Sequence, residues 1–124
     1  MNAILIGSCF GALGVVFGAF GAHLLRGKMS DELLVSFETG VRYQFYHALV
    51  LVLAGIAQHA GIIQEGHYVE IFTAGILLFS FSIYGLCLSS TFGSKWKFLG
   101  PITPLGGLLL VAGWLILAWA ALPI

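Results

Sequence analysis

The sequence AILIGSCFGALGVVFGAFGAHLL, residues 3–25, contains no Asp, Glu, Lys or Arg. A helix of about 20 mainly apolar residues crosses the hydrocarbon core of a bilayer. Three more apolar runs of similar length follow, at residues 43–60, 68–90 and 104–122. Because unpaired backbone groups are costly in lipid, continuous segments of this length form helices there. The sequence therefore predicts an all-α protein: one domain, residues 1–124, forming an integral membrane bundle of four transmembrane helices.

The composition agrees with this class of protein. Of the 124 residues, 60% are hydrophobic and 8% are charged, whereas soluble domains have roughly 25% charged residues. Five Lys and Arg balance five Asp and Glu, so no basic surface suggests a nucleic-acid partner. Cys9 and Cys87 lie in apolar runs without metal or redox spacing, and we expect free thiols. No cofactor is predicted.

The positive charges predict the orientation in the membrane. Loops that contain Lys and Arg stay on the cytoplasmic side. All five positive residues fall in two connections, Arg26, Lys28 and Arg42 between the first two spans and Lys95 and Lys97 between the last two. With four spans, both basic connections face the cytoplasm, and both termini are predicted on the outer side of a bacterial plasma membrane.

The connection between the first two spans has a helical pattern of its own. Ser30 can cap a helix that has two acidic residues in its first turn, and apolar residues then recur at helical spacing. This pattern predicts a short interfacial helix, with a bend at Gly40 before the second span. One long tilted helix from Asp31 to Gln58 is the alternative.

The fourth span begins with a conspicuous helix-start motif. Thr103 is predicted as the N-cap, with Pro104 at the first helical position. Gly106 and Gly107 follow directly. Two adjacent glycines would let another backbone, or a lipid headgroup, approach this part of the helix closely.

Glycines recur along the first span at intervals of four, three, four and three residues: Gly7, Gly11, Gly14, Gly18 and Gly21. Small residues let helix backbones approach each other in lipid, where no hydrophobic force drives helices together. The heptad spacing suits a left-handed crossing. We interpret the stripe as a helix-packing surface within the bundle or in a dimer, with a glycine-lined pore as the alternative.

The second span has the densest set of polar side chains: Glu38, Arg42, Tyr43, Gln44 and His47. Glu38 and Arg42 are four residues apart and could pair. Gln44 and His47 are three residues apart, so they share a helix face that we expect to point into the bundle. Polar groups at this depth suggest a functional site, although they can also simply hydrogen-bond to neighbouring helices.

Four residues of the other spans complete the candidate polar or ligand site: His23, Ser80, Tyr84 and Thr103. His23 is predicted at the same membrane depth as His47, but no third ligand is evident, so no metal site is predicted. Hydroxyls in membrane helices usually bond to backbone or to a neighbouring helix, so no catalytic residue is assigned.

The cytoplasmic half would collect the amino termini of two spans and most of the cations. Helix amino termini beside cations favour anions. Phospholipid headgroups are the commonest anions at this depth, so membrane lipids are the expected ligands.

Four stretches also resemble a known family: GAFGAH (18–23), ETGVRYQFYHAL (38–49), LFSFSIY (78–84) and GPITPLGG (100–107). Together they resemble the bacterial membrane family catalogued as domain of unknown function 423. The resemblance implies a four-span protein of the bacterial plasma membrane. Its signature residues correspond to His23, Tyr43, Gln44, His47, Thr103 and Pro104. Phe81 departs from the pattern, because a small residue is expected there.

These observations predict a plasma-membrane protein that is not an enzyme. It would contact lipid, a second copy of itself or another membrane protein. A small oligomeric transporter or channel with its polar site in the cytoplasmic half is the alternative. An enzyme would need a nucleophile, a base and an electrostatic stabiliser within reach of one another, and the spacing of the polar residues requires none.

Overall fold

A computed structural model describes residues 2–123. Within them, four helical segments are long and apolar enough to cross a membrane. They are α1 (Ala3–His23), α2 (Asp31–His59), a third span made of α3 (Tyr68–Ile76), a π-helical turn (Leu77–Phe81) and α4 (Ser82–Phe92), and α5 (Ile102–Ala120), which follows a short 3₁₀ turn (Lys97–Leu99). The all-α, four-span architecture predicted from hydropathy is confirmed.

The second helix is continuous over 29 residues. The predicted short interfacial helix with a bend at Gly40 is therefore wrong as a separate element, and the alternative of one long helix is correct. Ser30 does cap it, since its hydroxyl accepts a hydrogen bond from the backbone N–H of Leu33 at 3.3 Å. Gly40 serves close packing instead: a Cβ there would lie 2.9 Å from the ring of Tyr84.

The third span contains a π-helical turn that hydropathy does not reveal. The chain remains helical through Leu77–Phe81, but the turn is wider than an α-helical turn. Gly106 of α5 lies directly against it, because a Cβ on Gly106 would be 2.5 Å from the carbonyl carbon of Leu78. The sequence predicted that another backbone could approach this glycine closely, and this prediction is confirmed.

The start of α5 differs from the predicted helix cap. The helix begins at Ile102, Pro101 occupies the cap position, and no side chain caps it. The Thr103 hydroxyl instead lies 2.6 Å from the Ser82 hydroxyl of α4. A bond to a neighbouring helix has replaced the bond to the helix's own amides. Pro104 remains in the first turn, where its missing N–H would have no helical partner.

The bundle consists of two closely packed helix pairs. One is α1 with α2, and the other is the third span with α5. Phe81, the departure from the family pattern, fills the space between the pairs, with its ring 5.9 Å from that of Phe17 and 6.3 Å from that of Phe10. A large side chain at this position therefore packs the third span against α1.

Four of the five glycines in the predicted stripe face α2. A Cβ would lie 2.7 Å from the Ala48 carbonyl oxygen at Gly7, 3.3 Å from the Phe45 ring at Gly14, 3.5 Å from Val41 at Gly18 and 3.0 Å from the Phe37 ring at Gly21. At Gly11 it would meet nothing within 4 Å. The stripe is thus a packing surface inside the bundle, with one position free of that contact.

We expect Gly7→Ala to destabilise the protein and Gly11→Ala to leave it intact. The new methyl at residue 7 would press on backbone of α2, and overpacking of this kind costs about 1–3 kcal/mol. At residue 11 the methyl has space, and alanine is favoured over glycine inside a helix by about 0.5–1 kcal/mol. Thermal denaturation in mild detergent measures both changes. Equal midpoints for the two variants would contradict this packing.

Candidate polar site

Gln44 connects three helices in the interior. Its side chain is 0% exposed. The amide nitrogen donates to the Phe10 carbonyl of α1 at 2.8 Å, and the amide oxygen accepts from the Tyr84 hydroxyl of α4 at 2.6 Å. Both ends of this side chain are therefore occupied by the protein itself.

Two serines of the third span connect it to its neighbours. The Ser80 hydroxyl donates to the Gly40 carbonyl of α2 at 2.7 Å. The Ser82 hydroxyl pairs with Thr103 of α5 and also donates to the Phe79 carbonyl at 2.9 Å. Neither hydroxyl faces a base, so neither is arranged as a nucleophile.

His47 of α2 bonds to α5. Its Nε2 accepts from the indole N–H of Trp114 at 3.0 Å, and its Nδ1 is 2.6 Å from the Tyr43 carbonyl. An imidazole that accepts at Nε2 must carry its proton on Nδ1 and donate from there. The two contacts together hold His47 neutral, in one tautomer, with no nitrogen free for a ligand.

The remaining predicted site residues lie outside this interior. His23, Glu38, Arg42 and Tyr43 are exposed. The expected pairing of Glu38 with Arg42 is not formed, because the guanidinium donates to the Thr39 hydroxyl at 3.3 Å. The ring of Tyr43 lies on the bundle surface, 5.0 Å from that of Phe79. The structure thus separates the predicted set into a buried group and a surface group.

The expectation that His23 and His47 share one depth is wrong. Gly21 of α1 packs against Phe37, so His23 lies near the amino-terminal third of α2. Ten residues of helix separate Phe37 from His47, which is about 15 Å along the axis. Within residues 2–123, no group of three or more His, Cys, Asp or Glu side chains is placed to hold a metal ion.

The sequence interpretation missed two partners of the polar site. Trp114 carries an indole N–H, which needs an acceptor when it lies in an apolar helix, and that requirement could have indicated a bond to His47. Ser82 belongs to the LFSFSIY motif of the third span but is not among the predicted site residues. Its partner Thr103 had been interpreted as a helix cap.

The fold and this interior define the class of protein: a small four-span membrane protein whose buried polar groups bond its helices to one another. The chain belongs to the family described as "Protein of unknown function (DUF423)", which matches residues 17–107. The resemblance seen in the sequence motifs is confirmed.

Relatives of the chain include proteins of two bacterial genera. It is 40% identical over 114 residues to "UPF0382 membrane protein SH2409" of Staphylococcus haemolyticus, and this match covers 92% of the chain and 89% of the relative. It is 41% identical over 120 residues to "UPF0382 membrane protein YwdK" of Bacillus subtilis, and this match covers 95% of the chain and 94% of the relative. No solved structure matches the chain. With four apolar spans and these relatives, the chain is a membrane protein.

Proposed function

We propose that the protein is a non-enzymatic component of the bacterial plasma membrane that acts by contact with lipids or with other membrane proteins. One observation carries this proposal. The five buried polar residues, Gln44, His47, Ser80, Ser82 and Ser89, all make hydrogen bonds within the protein. Such a set stabilises the bundle, and none of these five side chains is left free to bond to a substrate.

The imidazole of His47 and the thiol of Cys87, which could in principle react, support the same proposal. Both nitrogens of His47 are occupied, and the thiol of Cys87 is 2% exposed and directed at the Leu33 carbonyl at 3.4 Å. A transporter would need polar side chains that line an open path. The bonded interior argues against such a path through one copy of the chain.

Reconstitution into vesicles tests this function. We expect no flux of protons, Na⁺ or K⁺ above that of empty vesicles, and no turnover of the vesicle lipids. Native mass spectrometry after detergent-free extraction should find the protein with bound lipid or a bound membrane protein. Flux that disappears in the His47→Ala variant would overturn the proposal and favour the transporter.

We further propose that both termini lie outside the cell. Four basic residues, Arg26, Lys28, Lys95 and Lys97, lie in or next to the two connections at one end of the bundle, where the positive-inside rule favours the cytoplasm. In a variant without Cys9, a cysteine in place of Ile62 should react with a membrane-impermeant maleimide in intact cells. A cysteine in place of Lys95 should react only after lysis. The reverse pattern would contradict this orientation.

A further inference from the structure

A groove of about 480 Å³ opens between α2, α4 and the start of α5. It lies between the two helix pairs, α2 packed along α1 and α5 packed along α3 and the π turn, at the end that carries the basic loops. One wall contains Ser36 and Thr39, and the floor contains Ile83, Leu86 and Ser90. The rest of the lining consists of Leu33, Cys87, Lys95, Gly100, Thr103 and Pro104.

Lys95, the charged side chain of the lining, lies at the end of the groove where α4 ends, and the deeper part is lined by Ile83 together with the hydroxyls of Thr39 and Thr103. Ser90 and Lys95 lie where α4 ends, whereas Ile83 lies seven residues deeper in the span, about 10 Å along the helix. A phospholipid has the same division, with a charged headgroup at the membrane surface and acyl chains below it. The charge of Lys95 at the surface end and the apolar side chains of Ile83 and Leu86 below it therefore fit a lipid headgroup with part of an acyl chain.

The charge at the mouth of the groove is positive. Lys95 lines it, and the Arg42 guanidinium, which is outside the lining, bonds to Thr39 on the deeper wall. Within the described residues, no carboxylate belongs to the lining. Glu32, one turn before Ser36, is exposed and outside it. α5 also begins without a side-chain cap, so the positive end of its dipole adds to the field.

Two hydroxyls at the groove, those of Ser36 and Ser90, differ from those in the interior. The buried serines bond within the protein, whereas Ser36 and Ser90 have no hydrogen-bond partner among residues 2–123. Ser90 lies beside the basic loop, and Ser36 lies deeper in the groove, between Leu33, whose carbonyl accepts from Cys87, and Gly40, which packs on Ile83. The Ser90 hydroxyl can therefore donate to a phosphate oxygen beside Lys95, as hydroxyl groups do in anion sites.

We propose that this groove binds an anionic phospholipid of the cytoplasmic leaflet. The phosphate lies beside Lys95 and accepts from the hydroxyl of Ser90, and an acyl chain lies along Ser36, Ile83 and Leu86. The proposal rests on the proposed function and orientation, and it names the lipid contact of that function.

The first test concerns the role of the Lys95 charge. The detergent-solubilised protein is titrated with phosphatidylglycerol or phosphatidylcholine, and native mass spectrometry measures the binding. One basic residue at a membrane surface corresponds to about a fivefold change in affinity. We expect Lys95→Gln to weaken phosphatidylglycerol binding by about fivefold and leave phosphatidylcholine binding unchanged. Lys28→Gln removes the same charge from the other basic loop, away from the groove, and should have no such effect. Equal losses in both variants, or none in either, would overturn the proposal.

A second pair of variants tests the groove as a site. Ser36→Trp fills it, whereas Val35→Trp puts the same side chain on an adjacent exposed position outside the lining. We expect only Ser36→Trp to abolish saturable binding of phosphatidylglycerol, with unchanged helix content by circular dichroism in both variants. Retained binding in Ser36→Trp would overturn the proposal, even if Lys95→Gln fails to fold.

Competition with a soluble anion distinguishes a lipid headgroup from a soluble phosphate as the ligand. Glycerol phosphate at the same concentrations should not compete with phosphatidylglycerol, because it lacks the acyl chain that the apolar part of the groove binds. Full competition would instead assign the site to a soluble phosphate and overturn the lipid assignment. The vesicle flux assay is independent of all these outcomes, so failure of the groove and failure of the non-enzymatic function can be told apart.

Discussion

Gly106→Ala is expected to lose about 3 kcal/mol of stability or more, the largest effect of any single methyl group considered for this protein. Its Cβ would lie 2.5 Å from the Leu78 carbonyl carbon and even nearer to the Phe79 nitrogen. Both are backbone atoms of the π turn, so no side-chain rotation can relieve the overlap, and overpacking in such a place costs about 1–3 kcal/mol or more. Thermal denaturation in mild detergent, followed by circular dichroism, measures the loss.

The adjacent glycine provides the control. A Cβ on Gly107 would meet only the ring of Phe79, at 3.7 Å, which is ordinary van der Waals contact. Gly107→Ala should therefore be neutral or raise the midpoint, because alanine inside a helix is favoured by about 0.5–1 kcal/mol. If Gly106→Ala were as stable as Gly107→Ala, α5 would not lie against the π turn as described.

Gln44→Leu is expected to lose about 2–3 kcal/mol. The substitution removes two buried hydrogen bonds and leaves the Tyr84 hydroxyl without its acceptor, and a buried polar group without a partner costs about 1–3 kcal/mol. A loss of this size would show that Gln44 of the second span connects helices. Unfolding of the single variants and of Gln44→Leu with Tyr84→Phe gives the coupling between the two residues.

The double variant distinguishes a direct bond from a general loss of packing. Because both partners become apolar, it should lose about 1 kcal/mol less than the sum of the two single variants, within the range measured for hydrogen bonds between membrane helices. Tyr46→Phe is the matched control, since Tyr46 is 53% exposed and should combine additively with Gln44→Leu. If the losses from Gln44→Leu and Tyr84→Phe also simply added, that result would contradict the interhelical bond.

Part of the candidate site could be predicted from the sequence. The shared face of Gln44 and His47 follows from their spacing, and both residues are buried. Their partners could not be predicted. Phe10 contributes a backbone carbonyl, and Trp114 lies 67 residues from His47 along the chain. Side-chain spacing within one helix contains no information about which group of another helix it meets.

The glycines illustrate the same limit. Gly7 and Gly11 belong to one regular stripe, yet a Cβ would overlap α2 at the first and meet nothing at the second. The stripe predicts that a helix packs closely, but the rotation and crossing of its partner determine which positions touch. Gly40 was expected to bend the chain, but it lies within a continuous helix, where its close packing against Tyr84 accounts for the glycine.

The sequence by itself determined the four spans, the all-helical class and the family, because hydropathy and motif order are properties of consecutive residues. The tertiary structure alone decided the continuity of α2, the π turn beside Gly106, the neutral His47 between two helices and the separation of His23 from it. Each of these depends on contacts between residues distant in the chain. It also decided that α2, α4 and the start of α5 enclose the groove beside Lys95.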